Sequence, residues 1–311
     1  MPCYHPLEAA RPTGSDLKPL IYSKGQRPDP LAKGWERLSI PCGKCIGCRL
    51  EVSRTWAARI MHEAQLHQDN CFVTFTYDED HCPADYSLVP DHFTLFLKRL
   101  RRWHEPNRLR FFHCGEYGDN FERPHYHACL FGIAFADKQL WTRQRDHELF
   151  TSETLDKIWT HGRCLIGQLT FESAAYVARY VCKKVNGARK DEHYTRMDPR
   201  TGLVHQVEPE YATQSRRPGL GKQWFDEFKT DVFPWDEIIV RGHPCKPPRY
   251  YDKLLEESDP GLLQAIKLQR ELAALTRAHD NTPERLYQRE KVKEAQFTML
   301  KRGYENEPTS I

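Results

Sequence analysis

The pattern of apolar and polar positions predicts strands and helices that alternate along the first two thirds of the chain. Residues 71–77, CFVTFTY, are β-branched and aromatic, which is typical of a buried strand. Apolar positions spaced three and four apart over 49–68 indicate an amphipathic helix before it. By the same criteria, further strands are predicted near residues 109–116, 125–131 and 163–169, and further helices near 91–103, 153–160 and 170–186.

The resulting order is strand, helix, strand, strand, helix, strand, helix. This is the order of a ferredoxin-like, or RRM-like, split βαβ fold with one extra helix. We therefore expect an α+β fold with an antiparallel sheet, helices on one face of the sheet, and a second face free for a functional site. Asp91 and Thr170 are expected to cap two of the helices, and Gly162 to end a third in the left-handed region.

Four parts of the chain differ in regularity. We expect an N-terminal extension with a cysteine cluster and a helix, a regular core, an irregular segment and a C-terminal helical region, at residues 1–68, 69–190, 191–258 and 259–311. The first 40 residues are rich in Gly and Pro and are expected to be an extended lead-in. Two charged helical segments, near 261–279 and 283–302, are expected to pack on the core or on another subunit.

The composition is that of an ordinary folded protein. Of the 311 residues, 39% are hydrophobic and 29% are charged, which excludes a disordered chain. No apolar stretch is long enough to span a bilayer, and the N-terminus lacks the apolar core of a secretory signal, so we expect an intracellular protein without a membrane partner. The eleven cysteines are then better explained as thiols or metal ligands than as a disulfide framework.

The net charge of +3 is too small to identify a partner. Local charge is more informative, because two short runs are strongly basic. They consist of Lys98, Arg99, Arg101 and Arg102, and of Arg179, Lys183, Lys184, Arg189 and Lys190. Taken alone, each run is most simply explained as a solvated helix face.

Residues 123–132, RPHYHACLFG, carry a histidine pair in a strand-like run. Side chains two apart in a strand emerge on one face, so His125 and His127 are placed as two ligands of one metal ion would be. If the strands on either side of Gly118 form a hairpin, Glu116 lies roughly opposite the histidines. Two imidazoles and a carboxylate leave coordination positions open, as a catalytic metal requires. Taken alone, such residues also occur as packing or surface side chains.

A pair of tyrosines follows the fourth predicted strand. The sequence AAYVARYVCKK places Tyr176 and Tyr180 one helical turn apart on a face that Lys183 and Lys184 extend. A phenol has a pKa of about 10 and is a poor nucleophile at neutral pH, so it needs a nearby cation or Lewis acid, which the metal and the lysines would provide. A tyrosine pair alone is ordinarily packing. The histidines, the glutamate and the tyrosines together are harder to explain in that way.

A second group of side chains points to a different metal. The sequence PCGKCIGC places Cys42, Cys45 and Cys48 at a spacing typical of metal binding. Cys3 would complete a tetrahedral structural zinc site, with His5 as the substitute for it. An iron–sulfur cluster is one alternative, although the nearby fourth cysteine and proline of the ferredoxin run are absent. Reduced cysteines without a metal are another.

Several of these segments resemble known proteins. FVTFTYD, HCGEYG with RPHYHACLFG, and YVARYVCKK resemble, in order and spacing, the three motifs of the HUH single-strand endonucleases that start rolling-circle replication. PCGKCIGCRLEVSRTWAARIMHEAQ, SRRPGLGKQWF and GHPCKPPRYYDKL resemble segments of the replication initiators of gokushovirus-type microviruses. The resemblance extends from the first residues to about residue 255. It makes the core an HUH endonuclease core and the irregular segment a family-specific one.

The resemblance implies a role for each residue of the first group. His125 and His127, with Glu116 as the third ligand, would hold Mg²⁺ or Mn²⁺. Either Tyr176 or Tyr180 would attack the scissile phosphate and form a 5′-phosphotyrosyl link, and the other would act after one circuit of synthesis. Two tyrosines are typical of the phage-type initiators.

DNA contacts are expected close to the tyrosines. Lys183 and Lys184 would bind phosphates there, and Arg179 is a weaker candidate because we expect it to face away from the tyrosines. Exposed aromatic side chains around the site would stack unpaired bases. The sequence does not indicate which aromatic residues these are, nor an oligomeric state.

The function implied is that of a rolling-circle initiator of a single-stranded DNA phage, which nicks and later joins one strand. Its partners would be single-stranded or melted origin DNA and a host helicase and DNA polymerase, in the cytoplasm of the bacterial host. The chain contains no phosphate-cradling GxxxxGK[ST] loop, so unwinding must come from another protein. The alternatives are an HUH relaxase, plasmid initiator or transposase, and a non-catalytic nucleic-acid-binding module on the same sheet.

Overall fold

The computed structural model describes residues 3–14, 17–21, 34–118, 122–144, 147–179, 190–197 and 202–299. These residues divide into two compact units. The first unit combines the described residues of Met1–Glu51 and Lys267–Arg302, and the second those of Val52–Ile266.

The strands are β1 (Leu7–Pro12), β2 (Leu20–Ile21), β3 (Trp35–Ile40), β4 (Asn70–Phe75), β5 (Arg110–Tyr117), β6 (Pro124–Phe131), β7 (Gln139–Gln144), β8 (His147–Thr151), β9 (Cys164–Gly167), β10 (Thr195–Met197), β11 (Val204–Gln206), β12 (Tyr211–Gln214), β13 (Ile238–Val240) and β14 (His243–Cys245). The helices are α1 (Ile46–Ala64), α2 (Pro90–His104), α3 (Glu153–Trp159), α4 (Phe171–Arg179), α5 (Lys190–His193), α6 (Lys222–Val232), α7 (Arg249–Ser258), α8 (Pro260–Thr276) and α9 (Pro283–Thr298). A short 3-10 helix, Ala278–Asn281, lies between α8 and α9.

Within its described residues, the second unit contains a seven-stranded sheet in the order β12-β5-β6-β4-β9-β8-β7. Every neighbouring pair in this sheet is antiparallel. Strand β6 lies between β4 and β5, and β9 lies on the other side of β4, which is the split βαβ order expected from the sequence. The predicted α+β fold with an antiparallel sheet is therefore confirmed.

Helices α2 and α3 pack on one face of this sheet. Alternate strand residues point to the same face, and Val73, Phe75 and Leu130 are buried there in one cluster. Phe96 of α2 and Trp159 of α3 belong to the same cluster. The two helices of the ferredoxin-like core thus lie on one face, as the sequence order predicts.

The second face of the sheet is also covered. Phe72, Cys129 and Phe131 lie there in a buried cluster with Ile60 of α1 and Val177 of α4. The expectation that this face is free for a site is therefore corrected. Phe72, Cys129 and Phe131 are apolar, so this face must also be covered to remove them from water.

The helix starts depend on local hydrogen bonds. The Ser173 amide donates to Oγ1 of Thr170 at 3.2 Å, which confirms the predicted cap of α4. Helix α2 is different, because Val89 is its N-cap and Pro90 occupies its first turn. The prediction that Asp91 caps α2 is wrong, and Asp91 lies instead in the first turn, where a negative charge is favourable.

The end of α3 also differs from the expectation. Thr160, with φ 69°, occupies the left-handed position that Gly162 was expected to take. Gly162 has φ 146°, and a Cβ at this residue would lie 2.5 Å from the nitrogen of Asp78 and 2.6 Å from the oxygen of Thr76. Glycine is therefore required here so that the chain entering β9 lies directly against the end of β4.

Residues beyond 190 contain more regular structure than the sequence pattern indicates. Strand β12 extends the sheet beside β5, and helices α6 and α7 contribute Phe225 and Tyr251 to a third buried cluster.

A buried ion pair ties α1 to β5. The Arg110 guanidinium contacts the carboxylate of Glu63, and the two side chains are 3% and 0% exposed. The other oxygen of Glu63 accepts from the Gly221 amide at 2.8 Å, while Arg110 donates to the carbonyl of Pro218 at 2.9 Å. Burial alone would raise the pKa of Glu63, but the contacts with His67, Gly221 and Arg110 outweigh it and lower the pKa.

The first unit contains a small antiparallel sheet in the order β2-β1-β3. The expected extended lead-in is thus folded in part. Cys3, Tyr4, Cys45 and Cys48 form a buried cluster with Leu286 of α9. Among the described residues of both units, no helix combines the length and apolarity that crossing a bilayer requires.

Candidate metal and nucleophile site

The β5–β6 hairpin places the three expected metal ligands together. In its register Glu116 is paired with His125, and Cys114 is paired with His127. Paired residues and residues two apart share a face, so the carboxylate and both imidazoles emerge on the second face of the sheet. The hairpin predicted from the sequence is confirmed.

The three side chains meet at one atom. Oε1 of Glu116 lies 2.8 Å from Nε2 of His125 and 2.8 Å from Nε2 of His127. One ligand atom from each residue can be chosen so that all lie within 4.8 Å of one another. The side chains of Glu116 and His127 are buried, whereas His125 keeps 19% of its side-chain surface exposed. The cluster therefore opens towards solvent at His125.

The second nitrogen of each imidazole is also engaged. Nδ1 of His125 lies 3.1 Å from the carbonyl oxygen of Arg123, and Nδ1 of His127 lies 3.0 Å from Oγ1 of Thr74. A carbonyl oxygen only accepts, so Nδ1 of His125 donates to the carbonyl of Arg123, and Nε2 of the ring faces Glu116. This donor set fits a divalent metal ion with open positions.

The carboxylate of Glu116 is held in its ionised form. Burial alone would raise its pKa, but the charge of His125 and the hydrogen bonds from His125 and His127 outweigh the burial and lower the pKa to about 2. Glu116 is therefore a negatively charged ligand throughout the neutral pH range.

Helix α4 brings a tyrosine to the same atom. The hydroxyl of Tyr176 donates to Oε1 of Glu116 at 3.1 Å, and the Tyr176 ring meets that of His127 edge to face, with 5.1 Å between ring centroids. The ring of Tyr176 is buried in the cluster on the second face, with 5% of the residue exposed. Ser53 of α1 donates to the carbonyl of Ala175 at 2.8 Å, which fixes α4 against α1. The structure thus joins Tyr176 to His125, His127 and Glu116, as the sequence predicted.

Of the remaining predicted site residues, Arg179 is the one that the structure describes. The guanidinium carbon of Arg179 lies 5.1 Å from the centroid of the Tyr176 ring, so the expectation that Arg179 faces away from the tyrosines is wrong. Tyr180, Lys183 and Lys184 lie outside the described residues.

Two side chains of the site were not identified from the sequence. Thr74 orients His127, and Phe72 stacks on it with 5.4 Å between ring centroids. A signal for Thr74 exists, because it is a polar residue inside an apolar strand and lies on the face opposite to Val73 and Phe75. Only the pairing of Thr74 with His127 across β4 and β6 shows what it contacts.

The cysteine cluster forms in the first unit. The sulfur atoms of Cys42 and Cys48 are 4.0 Å apart, as are those of Cys45 and Cys3, and the four sulfur atoms all lie within 4.8 Å of one another. These separations are too long for disulfides. They are close to the separation of about 3.8 Å between thiolates at the corners of a tetrahedron around zinc. The cluster therefore fits a zinc ion.

Backbone amides surround the thiols. The Cys42 amide donates to the sulfur of Cys3 at 3.2 Å, and the Tyr4 amide donates to the sulfur of Cys45 at 3.4 Å. Burial alone would raise the pKa of Cys45, but hydrogen bonds from Tyr4, Cys48 and Cys42 outweigh it and lower the pKa to about 7. His5 lies elsewhere, with Nε2 at 2.7 Å from the Glu290 carboxylate, so Cys3 and not His5 occupies the fourth place.

Comparison with known proteins identifies the family. A family model described as "Replication-associated protein ORF2/G2P" matches residues 70–185, a span that includes β4, the hairpin and the described part of α4. The replication-associated protein VP4 of Bdellovibrio phage phiMH2K is 32% identical over 269 residues, which cover 84% of this chain and 79% of that protein. The chain belongs to the replication-associated proteins of microvirus-type phages.

Other members of this family are similar to the same extent. The replication-associated protein ORF2 of Spiroplasma virus 4 is 33% identical over 251 residues, which cover 76% of this chain and 74% of that protein. The replication-associated protein ORF4 of Chlamydia phage 1 is 31% identical over 227 residues, which cover 70% of this chain and 54% of that protein. The expected resemblance to microvirus-type initiators is therefore confirmed. No solved structure matches this chain significantly.

Proposed function

We propose that this chain initiates rolling-circle replication of a single-stranded DNA phage, as a metal-dependent HUH-type single-strand endonuclease and strand transferase. One observation carries the proposal. A single carboxylate oxygen, Oε1 of Glu116, contacts both imidazoles of the histidine pair and the hydroxyl of Tyr176. Metal ligands and a nucleophile therefore occupy one place in the protein, as phosphoryl transfer to tyrosine requires.

The ligands would hold Mg²⁺ or Mn²⁺. Glu116 supplies a charged oxygen, and His125 and His127 supply nitrogens whose orientation is fixed by Arg123 and Thr74. A divalent ion bound there would polarise the scissile phosphate and offset the negative charge that develops on its oxygens. The partial exposure of His125 provides the side from which a DNA strand enters.

The tyrosine supplies the nucleophile. To react, the hydroxyl of Tyr176 gives up its hydrogen bond to Glu116, and its oxygen forms a bond to phosphorus while the bond from phosphorus to the 3′ oxygen breaks, so that the proton lost by the phenol is balanced by one gained at the departing 3′ oxygen. The products are a 5′-phosphotyrosyl link and a strand with a free 3′-hydroxyl that a host polymerase can extend. Because one phosphodiester replaces another, the link remains available for joining.

A second tyrosine permits a second cut. Tyr180 follows Tyr176 by one helical turn in the sequence, so it would cut the regenerated origin while the released 3′-hydroxyl attacks the first adduct. Lys183, Lys184 and Arg179 would bind phosphates beside the tyrosines, and the contact of Arg179 with the Tyr176 ring supports its inclusion.

The cysteine cluster has a separate, structural role in this proposal. Cys3, Cys42, Cys45 and Cys48 would hold Zn²⁺, which joins the N-terminal residues to the start of α1. The other partners would be melted origin DNA and a host helicase, since the chain lacks a phosphate-binding loop of its own. The protein would act in the cytoplasm of the bacterial host.

Covalent capture tests the proposal. The chain is incubated with Mn²⁺ and overlapping single-stranded oligonucleotides that tile the phage genome, and any adduct is digested and analysed by mass spectrometry. We expect one sequence to become linked through a 5′-phosphate to Tyr176 or Tyr180, and EDTA to prevent the reaction. The variant with both His125→Ala and His127→Ala should retain much of its DNA affinity and form no adduct. An adduct that forms in EDTA, or on a residue outside the tyrosine pair, contradicts the assignment.

A further inference from the structure

A row of side chains crosses the sheet from the metal ligands to its far edge. Glu116 is paired with His125 in the hairpin. The β4–β6 pairing ends at Phe75 with Tyr126, and one step further Thr76 lies beside His125. On the other side of β4, the Thr76 amide donates to the carbonyl of Arg163 at 3.0 Å. Paired residues share a face, so the row continues to Arg163 on the face of the metal ligands.

Beyond Arg163, the β7–β8 hairpin places Trp141 beside the end of the row. Its pairing shifts register between Leu140 and Thr142, which leaves Trp141 as the extra residue of a bulge. The guanidinium carbon of Arg163 lies 5.8 Å from the centroid of the Trp141 ring. Arg163 is exposed and Trp141 is 43% exposed. The row therefore ends in an accessible cation next to an accessible indole.

The backbone that carries Arg163 is held firmly. The Thr76 hydroxyl donates to the carbonyl of Arg163 at 2.9 Å, and the amide of Cys164 donates to the Asp156 carboxylate at 2.7 Å. Gly162 permits this close approach, since any Cβ there would collide with the end of β4. Within the part of the chain that the structure describes, no carboxylate forms an ion pair with the Arg163 guanidinium. The residue is also exposed, so its guanidinium is accessible to a ligand.

We propose that Arg163 and Trp141, here called the Arg163–Trp141 tract, bind the single DNA strand that extends from the metal site. Arg163 contacts a phosphate of that strand and Trp141 stacks on an unpaired base. The tract rests on the proposed function, because it assigns a path to the substrate of the same site. Strands lie about 5 Å apart, so Arg163 is about 10 Å from His125, a distance that a strand covers within a small number of nucleotides.

Charge and shape favour single-stranded DNA as the occupant. An exposed guanidinium attracts the backbone of any nucleic acid, but an indole stacks only on a base whose face is open. Arg163 is also connected to the metal ligands through Thr76 on the neighbouring strand, so a DNA strand held at the ligands meets the tract next. Stacking of this kind tolerates any base, so the tract contributes affinity and direction rather than sequence recognition.

Binding measurements with matched variants test the tract. The probe is a fluorescein-labelled oligothymidylate of about 16 nucleotides. Trp141→Ala should weaken its binding at least about fivefold, and Trp141→Phe should restore most of the loss because a ring remains. Arg163→Gln should weaken binding and reduce the slope of log affinity against log salt by about 0.7, and Arg163→Lys should restore the slope.

The controls change similar residues elsewhere. Arg101 on α2 is exposed, and its guanidinium carbon also lies 5.8 Å from an aromatic centroid, that of Phe111. Trp235 is 73% exposed and lies outside the row. Arg101→Gln and Trp235→Ala should bind the probe as the unchanged protein does. Losses in these controls as large as those in the tract variants would overturn the proposal.

Adduct formation separates this proposal from the proposed function. At saturating oligonucleotide the tract variants should form the tyrosyl adduct in full yield, while the concentration for half-maximal adduct rises. If the unchanged protein forms an adduct but the tract variants bind within twofold of it, the tract alone is refuted. If the unchanged protein forms no adduct on any strand, the proposed function fails. If Trp141→Ala weakens binding to a duplex of the same length as much as binding to the single strand, the stacking role is refuted, since no base face is open in a duplex.

Discussion

The hydroxyl of Tyr176 donates to Oε1 of Glu116 across 3.1 Å, from a helix to the end of a strand that lies 60 residues earlier in the sequence. The same oxygen lies 2.8 Å from the imidazoles of His125 and His127. Glu116 is therefore shared between the candidate nucleophile and the candidate metal ligands. A substitution at any of these residues should therefore alter the contacts of the others.

The first prediction concerns the two tyrosines. We expect Tyr176→Phe and Tyr180→Phe each to retain some nicking, because either phenol can attack, and the double variant to form no adduct. Denaturing gels of a labelled oligonucleotide in Mn²⁺ measure the adduct. As a control, Tyr250→Phe should leave its yield unchanged, since Tyr250 packs against Arg59, away from the site. An undiminished adduct in the double variant contradicts the assignment.

The second prediction concerns Thr74, a positioning residue for His127. Thr74→Val removes the partner of Nδ1 and should weaken Mn²⁺ binding and nicking by about 10- to 100-fold. Isothermal titration with Mn²⁺ measures the affinity. Raising the concentration of Mn²⁺ should recover part of the nicking, which a general loss of structure would not allow.

Thr213 provides a matched control for this change. Its Oγ1 lies 2.8 Å from Nδ1 of His113, another buried imidazole of the same sheet that is not part of the metal cluster. Thr213→Val should therefore affect stability without changing Mn²⁺ affinity. If both variants bind Mn²⁺ like the unchanged protein, Thr74 does not position His127 for the metal.

The third prediction concerns the cysteine cluster. The purified chain should contain about one zinc ion, and Cys42→Ser should lose it and unfold at a lower temperature. Cys245 is a suitable control because both cysteines are half-buried and Cys245 lies outside the cluster. Elemental analysis decides the question: bound iron with visible absorption would indicate a cluster of iron and sulfur, and a metal-free protein that takes up no zinc would indicate bare thiols.

The fourth prediction concerns the buried pair of Glu63 and Arg110. Glu63→Gln leaves Arg110 buried without its partner and should lower the free energy of unfolding by about 3–5 kcal/mol at neutral pH. Thermal and urea unfolding measure the loss. As a control, Glu153→Gln breaks the ion pair with Lys157, in which the Glu153 side chain is 82% exposed. It should change the free energy of unfolding by less than about 0.5 kcal/mol.

The effect of Glu63 should depend on pH. The pKa of Glu63 is lower in the folded state than in the unfolded state, where it is about 4.3. The contribution of Glu63 to the free energy of unfolding is therefore complete above the unfolded-state pKa. It is lost as the pH falls through the folded-state pKa. The stability difference between the unchanged protein and Glu63→Gln should shrink on acidification from about pH 5. A difference that stays constant down to pH 3 would contradict this linkage.

The sequence by itself determined the elements that rest on local patterns. The run CFVTFTY predicted β4, the segments on either side of Gly118 predicted the hairpin, and the spacing of Tyr176 placed it on a helix. Strand alternation is a property of the local backbone, so it also placed His125 and His127 on one face. Thr170 was predicted correctly as a cap and Asp91 was not, because Pro90 occupies the first turn of α2 and makes Val89 its N-cap.

Only the tertiary structure decided what these elements contact. Helices α1 and α4 cover the sheet face that the pattern left open, because Phe72, Cys129 and Phe131 on that face must be removed from water and the sequence does not say which helix covers them. The adjacency of Arg163 and Trp141 likewise joins segments that are distant in the chain. Such contacts arise from the packing of separate elements, and a local period carries no information about them.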